Sequence, residues 1–142
     1  MRKLKTTMML LLCVLMVLSS TLPVYAANAR LSHGVIATCS YDIAATGYSE
    51  AVITYAGNST SFTHITVETY IQKRSLGFIW TKVDNGEDGK TWIDTSTSDH
   101  GSFRHGLQLD STGTYRAVFT ITFSGIGAED DVIEDKIERT YG

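Results

Sequence analysis

Two long runs of two-residue alternation constrain what this chain can fold into. In residues 62–73, Ile65, Val67, Thr69 and Ile71 fall on one side of an extended backbone, and His64, Thr66, Glu68, Tyr70 and Gln72 fall on the other. In residues 114–124, Tyr115, Ala117, Phe119, Ile121 and Phe123 oppose Arg116, Val118, Thr120 and Thr122. Successive side chains of a strand point to opposite faces, so both runs predict strands with one buried and one wet face, the habit of antiparallel sheets. No window of the remaining chain after the first 26 residues carries a sustained apolar stripe at helical spacing.

Shorter signals extend the pattern. A first strand is expected near 34–41, with 42–49 as a connection, and a second strand around Ala51, Ile53 and Tyr55, closed by Gly57, Asn58 and Ser59. Ser75, Leu76 and Gly77 turn the chain into a returning hairpin strand at 78–83. A short strand at Trp92 and Ile93 precedes a polar, loop-like stretch over 95–101, and another strand is expected at 102–109. Residues 132–141 alternate apolar and charged side chains and suit a final edge strand whose charges discourage sheet-to-sheet pairing. Seven to nine short strands separated by turn signals predict an all-β, antiparallel sandwich.

The first 26 residues read differently. Arg2, Lys3 and Lys5 precede an unbroken apolar run of 8–18, and Val24, Tyr25 and Ala26 end in the small residues that a signal peptidase accepts. An apolar core of this length is too short to span a bilayer, which takes roughly 20 residues. The expectation is a cleaved signal peptide, 1–26, and a single secreted domain, 27–142, without membrane insertion after cleavage. The leader holds three of the 12 basic residues and none of the 15 acids, so the remainder carries a net charge of −6. That sign argues against nucleic acid and against anionic membrane surfaces, which need clustered Lys and Arg. Cys39 is then the one cysteine left, so no internal disulfide forms and the apolar core must supply stability.

Asp110-Ser-Thr-Gly-Thr-Tyr115 resembles the turn into the penultimate strand of immunoglobulin-like domains, and the residues from Gly34 to Cys39 resemble the early strand that carries that family's first cysteine. The resemblance implies an immunoglobulin-like or fibronectin-like sandwich in which the Tyr115 phenol bonds back to the backbone. The position of the family's second cysteine is Ala117, and no tryptophan follows one strand after Cys39. The sandwich implied is therefore free of the disulfide. The chain is also similar to small secreted bacterial proteins of unknown role that end in a Gly-Thr-Tyr-Arg strand. Such an architecture hosts many functions and hands none of them down.

Candidate sites are few. Asp84, Asn85, Glu87 and Asp88 offer oxygen ligands of the kind calcium takes, although the same letters suit a solvated hairpin turn. His100 and His105 are five apart, which on one strand sends them to opposite faces. No nucleophile frame or cofactor motif is present, and no cofactor is expected. Tyr70, Phe78, Trp80 and Trp92 are the aromatic candidates for stacking on a sugar or anchoring a protein partner. The expected function is thus a secreted, non-enzymatic binding module for an extracellular protein or glycan. Alternatives are a structural, self-associating secreted protein and a small secreted hydrolase.

Overall fold

The computed structural model describes residues 31–142; the expected leader at 1–26 lies outside them. Leu31–Gly142 form one compact unit whose core is drawn from within that span. It contains eight strands: β1 (Gly34–Ile43), β2 (Tyr48–Gly57), β3 (Phe62–Ser75), β4 (Ile79–Lys82), β5 (Trp92–Ser96), β6 (His100–Gln108), β7 (Gly113–Gly125) and β8 (Asp131–Tyr141). A single 3-10 turn at Asp88–Lys90 interrupts the loop between β4 and β5.

All pairings are antiparallel and make two sheets. One has three strands in the order β1-β2-β6; the other has five, β4-β3-β7-β8, with β5 also paired to β3. The length of β3 allows this. Its last four residues, Gln72 to Ser75, take β4, while Ile65 to Thr69 takes β5 on the same edge. The expected strand count and alternation are both met, so the chain is an all-β antiparallel sandwich.

The two alternating runs lie side by side as β3 and β7, and their apolar rows make the core. Ile65, Val67, Ile71, Tyr115, Ala117, Phe119, Ile121 and Phe123 are all buried, facing Tyr41, Ala51, Ile53 and Tyr55 from the opposite sheet. Each such side chain contributes roughly 1.5–3 kcal/mol on leaving water. Ring packing orders one end of this core: Tyr55 stacks on Phe103 with centroids 5.5 Å apart, and Phe123 meets both Tyr55 and Phe62 edge to face at 6.3 Å.

Three local expectations are revised. β1 runs on through Ile43 and β2 starts at Tyr48, so the connection shrinks to 44–47, held by a bond from the Ala44 amide to the Tyr48 carbonyl. The polar stretch at 95–101 is mostly strand: β5 extends to Ser96 and β6 begins at His100. The β1 register also shifts between Gly34 and Ile36, and this bulge leaves Val35 and Ile36 both exposed where strict alternation would bury one of them.

The sandwich has two open sides, and side chains close both. On one side β1 faces β8. There the Asp131 carboxylate accepts the backbone amides of Ser32, His33 and Gly34 at 2.9, 2.6 and 2.9 Å. His33, fully buried beside it, donates from Nε2 to the Ala128 carbonyl at 3.2 Å. Any side chain at Gly125 would run into the His33 ring and the Ser61 carbonyl, so this corner is built around a glycine. Further along the same side Arg139 reaches Asp42 at 3.4 Å. On the other side β5 faces β6. His105 Nε2 donates to Asp94 at 2.6 Å, and the Trp92 ring lies parallel to the imidazole at 4.7 Å.

Burial alone would raise the Asp131 carboxyl, but its three amide donors and the nearby His33 outweigh it and hold the group below its ordinary value. A depressed carboxyl adds stability above its unfolded pKa and loses it as pH falls through the folded one. Asp131→Asn is therefore expected to cost about 1–2 kcal/mol at neutral pH, less than three charge-assisted bonds would sum to because the carboxylate is partly solvated. The gap between wild type and variant should close as pH falls from about 5 towards 2, as read by urea unfolding across that range.

Candidate functional site

Each aromatic candidate is placed by strand parity and register. Tyr70 belongs to the row of β3 opposite the buried one, so it points away from the core. β4 pairs with the end of β3, and Trp80 is in register with Arg74, another member of that outer row. Tyr70 and Trp80 therefore share the outer face of the five-stranded sheet. Phe78 lies just before β4, at the tip of the β3–β4 hairpin, and is 75% exposed. Trp92 goes elsewhere. Its register partner on β3 is Thr69, a buried residue of the inner row, and its ring packs against the core and His105. The hairpin region thus gathers Tyr70, Phe78 and Trp80, and Trp92 belongs to the seam between the sheets.

The outer face holds charged residues that inspection of single segments passes over. Arg116 sits on β7 in register with Gln72, which is in register with Lys82 on the far side. The guanidinium of Arg116 lies 4.1 Å from the centre of the Trp80 ring, and that of Arg74 lies 5.7 Å from it. The Lys82 ammonium stands 4.2 Å over the Tyr70 ring. Such contacts draw a cation to the negative face of a ring and contribute about 0.5–1 kcal/mol each at exposed sites. Val118, in register between Tyr70 and Lys136, is buried although it belongs to the outer row.

Neutral partners hold these cations. Arg116 donates to the Gln72 side-chain carbonyl at 2.8 Å and Arg74 to the Thr114 hydroxyl at 3.2 Å. Lys82 donates to the Thr91 hydroxyl at 2.7 Å; Lys73, on the opposite face in register with Tyr115, donates to the Ser111 hydroxyl at 2.6 Å. The ion pairs among the described residues are Asp99–His100, Glu50–Arg104, Asp94–His105 and Asp42–Arg139, and none includes Lys73, Arg74, Lys82 or Arg116. The chain holds 15 acids, yet none falls between Glu68 and Asp84. The hairpin is a positive segment in a negative protein.

Its turn is unusual too. Leu76 and Gly77 both have positive φ, 51° and 82°, and the Phe78 amide bonds to the Ser75 carbonyl at 3.2 Å. A tight turn with positive φ at both central residues favours Asn-Gly or Asp-Gly. Leucine at the first position is sterically disfavoured, and here it is 81% exposed. With Phe78 and Ile79, three large apolar side chains stand in water within four residues.

The other candidates form no site of comparable definition. In the acidic loop the Asp84 carboxylate accepts the Gly86 amide at 3.0 Å and the Asn85 side-chain carbonyl accepts the Glu87 amide at 3.1 Å. Both side chains therefore shape the turn, and Glu87 and Asp88 extend into solvent. Among the described residues no three His, Cys, Asp or Glu side chains converge as a metal site would require. An open depression of about 620 Å3 lies at the far end of β3, lined by Thr63, His64, Thr95, Ser96 and Thr97. The thiol of Cys39, half-buried on β1, is pushed up to about 12, first by desolvation and then by the Asp135 carboxylate across the seam.

A raised thiol pKa means little thiolate. In the fragment 31–142, where Cys39 is the one cysteine, alkylation near pH ~8 is expected to run about a hundredfold or more slower in the folded protein than in the urea-unfolded chain. Stopped samples analysed by mass spectrometry measure this, and equal rates would show that the seam leaves the thiol open.

No protein-family model matches the sequence, and no curated protein or solved structure resembles it closely enough to count as a match.

Proposed function

We propose that this chain is an exported, non-enzymatic binding module with an immunoglobulin-like sandwich, and that it engages an extracellular protein or glycan through the β3–β4 hairpin and the adjoining outer face. The observation that carries this reading is the coincidence, on one hairpin, of exposed apolar side chains, two outward aromatic rings and cations without carboxylate partners. Each feature costs stability or solubility where it stands, and binding surfaces are where such costs are tolerated.

Two features support the immunoglobulin-like assignment. Sheets ordered β1-β2-β6 and β4-β3-β7-β8 correspond to strands A-B-E against C′-C-F-G of that family. The Tyr115 hydroxyl donates to the Ser111 carbonyl at 2.5 Å, the corner bond that the resemblance implies at the start of the penultimate strand. The family's inter-sheet disulfide has no counterpart. Cys39 points across the β1–β8 seam, and Ala117 is buried in the core.

A second reading is self-association. Val35 and Ile36 stand exposed on the edge strand β1, at 64% and 55%, and offer apolar surface to another copy.

The test is to incubate fragment 31–142 with isolated cell envelopes of the source organism and sediment them. The fragment is expected to sediment with them, and the double variant Phe78→Ser, Trp80→Ala to lose most of that binding while keeping a cooperative unfolding transition. Envelope binding that survives the double variant would rule out the hairpin as the contact surface. A mass that rises with concentration in the absence of envelopes would favour the second reading.

A further inference from the structure

We propose that the surface the hairpin docks on is a lipid bilayer bearing anionic headgroups, with the turn inserted at the interface and the flanking cations at headgroup level. This rests on the preceding reading of the hairpin as the contact surface and assigns it a lipid partner in place of a protein or glycan. The order of residues along the hairpin carries it. At the tip stand Leu76, Phe78 and Ile79, exposed at 81%, 75% and 43%. One register step back is Trp80 opposite Arg74; the next step holds Lys73, and the one after it Lys82, with Arg116 in the same row across β3. At about 3.4 Å per residue this sequence spans roughly 10–14 Å. Apolar tip, then indole, then cations is the order met along a bilayer normal from the acyl boundary outwards.

The shape favours this occupant as well. A protruding turn inserts into a fluid interface without needing a complementary pocket, whereas the same turn meeting a rigid partner would need a cavity for three unrelated apolar side chains. Positive φ at Leu76 turns a large apolar group outwards at a position where asparagine would relieve the backbone and dissolve better. Charge complementarity selects the headgroup. Residues 69–83 carry Lys73, Arg74 and Lys82 and no acid, and Arg116 extends the patch on the neighbouring strand. A net charge of −6 outside the leader opposes contact with anionic surfaces only if it is evenly spread; the neighbouring acids, Glu138 in register with Arg116 and Asp84 two residues after Lys82, lie at the base of the hairpin, and none lies at its tip. The contact is peripheral: among the described residues no helix is long and apolar enough to cross a membrane. An apolar turn with a basic flank supplies the two weak signals that together hold a protein at a bilayer.

The test uses fragment 31–142 carrying Trp92→Phe, so that Trp80 is the sole indole, with vesicles of phosphatidylcholine alone and of phosphatidylcholine with phosphatidylglycerol. At low salt the fragment is expected to float with the anionic vesicles and not with the neutral ones, and the Trp80 emission to move to shorter wavelength. Arg74→Gln or Arg116→Gln should each lower the partition coefficient about fivefold, the equivalent of roughly 1 kcal/mol per cation near an anionic surface. Leu76→Asn, which suits the turn and so preserves folding, and Phe78→Ser should each lower it about tenfold or more. Added salt should weaken binding in the parent protein and have less effect in the arginine variants. Absence of binding to anionic vesicles overturns the proposal, as does binding that Leu76→Asn and Phe78→Ser leave intact. If envelope binding depends on the hairpin while vesicles bind nothing, the lipid partner falls and the hairpin surface stands. If envelope binding ignores the hairpin, that surface falls as well.

Discussion

No covalent bond ties the two sheets of this domain together, so their association depends on one row of side chains on each of two neighbouring strands. The inward rows of β3 and β7 supply most of the buried apolar volume, and every other element is placed by its relation to them. β4 and β5 share one edge of β3, β8 takes the free edge of β7, and the three-stranded sheet lies across both rows. Thr69 is the polar member of the β3 inner row, fully buried between Phe119 and Trp92 in register. Its buried neighbours along the row, Ile65, Val67 and Ile71, are aliphatic. With the centre so apolar, specificity of docking falls to the seams, where directional bonds replace bulk burial. Asp131 with its three amides fixes β8 against the start of β1, and Asp94 with His105 fixes β5 against β6. Inward-turned charges on an edge strand also resist pairing with another chain, so Asp135 and Arg139 of β8 serve stability and solubility together.

The same parity that buries one row sets the other in water, and this links the core to the candidate site. Once Ile71 faces inwards, Tyr70, Gln72 and Arg74 must face outwards. The short β4 then has no choice but to lay Trp80 beside Arg74, and β7 must bring Arg116 alongside Gln72. Aromatic rings beneath cations are a way to hold long basic side chains on a flat sheet without neutralising them. A carboxylate would hold them as well and cancel the charge; hydroxyls, an amide and ring faces leave it available.

Much of the fold was legible because β3 and β7 alternate so strictly that only one face of each can be core. Quantities that depend on register were not. The Arg116–Trp80 contact requires β7 beside β3 and β3 beside β4, and no local pattern states either neighbour. The two tryptophans illustrate the limit. Parity groups Phe78 with Trp80, and it cannot say which face of so short a strand is wet; that follows from Trp80 pairing with Arg74 and Trp92 pairing with Thr69. Read from sequence alone, β5 ends at Ile93 because Asp94, Thr95 and Ser96 look like loop residues. Asp94 sits in a strand because His105 meets it, and His105 is 11 residues further on. Leu76 is legible as part of a turn, but its positive φ is a property of the tight Ser75–Phe78 turn, fixed by where β3 and β4 pair.

Elsewhere departures from the rules that make a sandwich soluble and singular are scattered: Lys90 also has positive φ, and Val35, Ile36, Ile93, Ile126 and Val132 are exposed. The last edge strand is charged, large apolar groups face inwards along β3 and β7, and the acidic loop closes on its own amides. At the β3–β4 hairpin three of those rules lapse together. A leucine takes a glycine-like conformation, apolar side chains of the turn face water, and cations stand without carboxylates in a chain rich in them. One lapse alone has a local explanation, since short hairpins tolerate strain and surfaces carry scattered apolar groups. Their coincidence within a few residues does not follow from folding, because Asn at 76 and a polar residue at 78 would keep the same turn at lower cost. A partner that takes up apolar groups and supplies negative charge at one place offsets the second and third of these costs and gives the outward leucine a use, and that shared remedy is the physical reason to propose the hairpin as the contact surface.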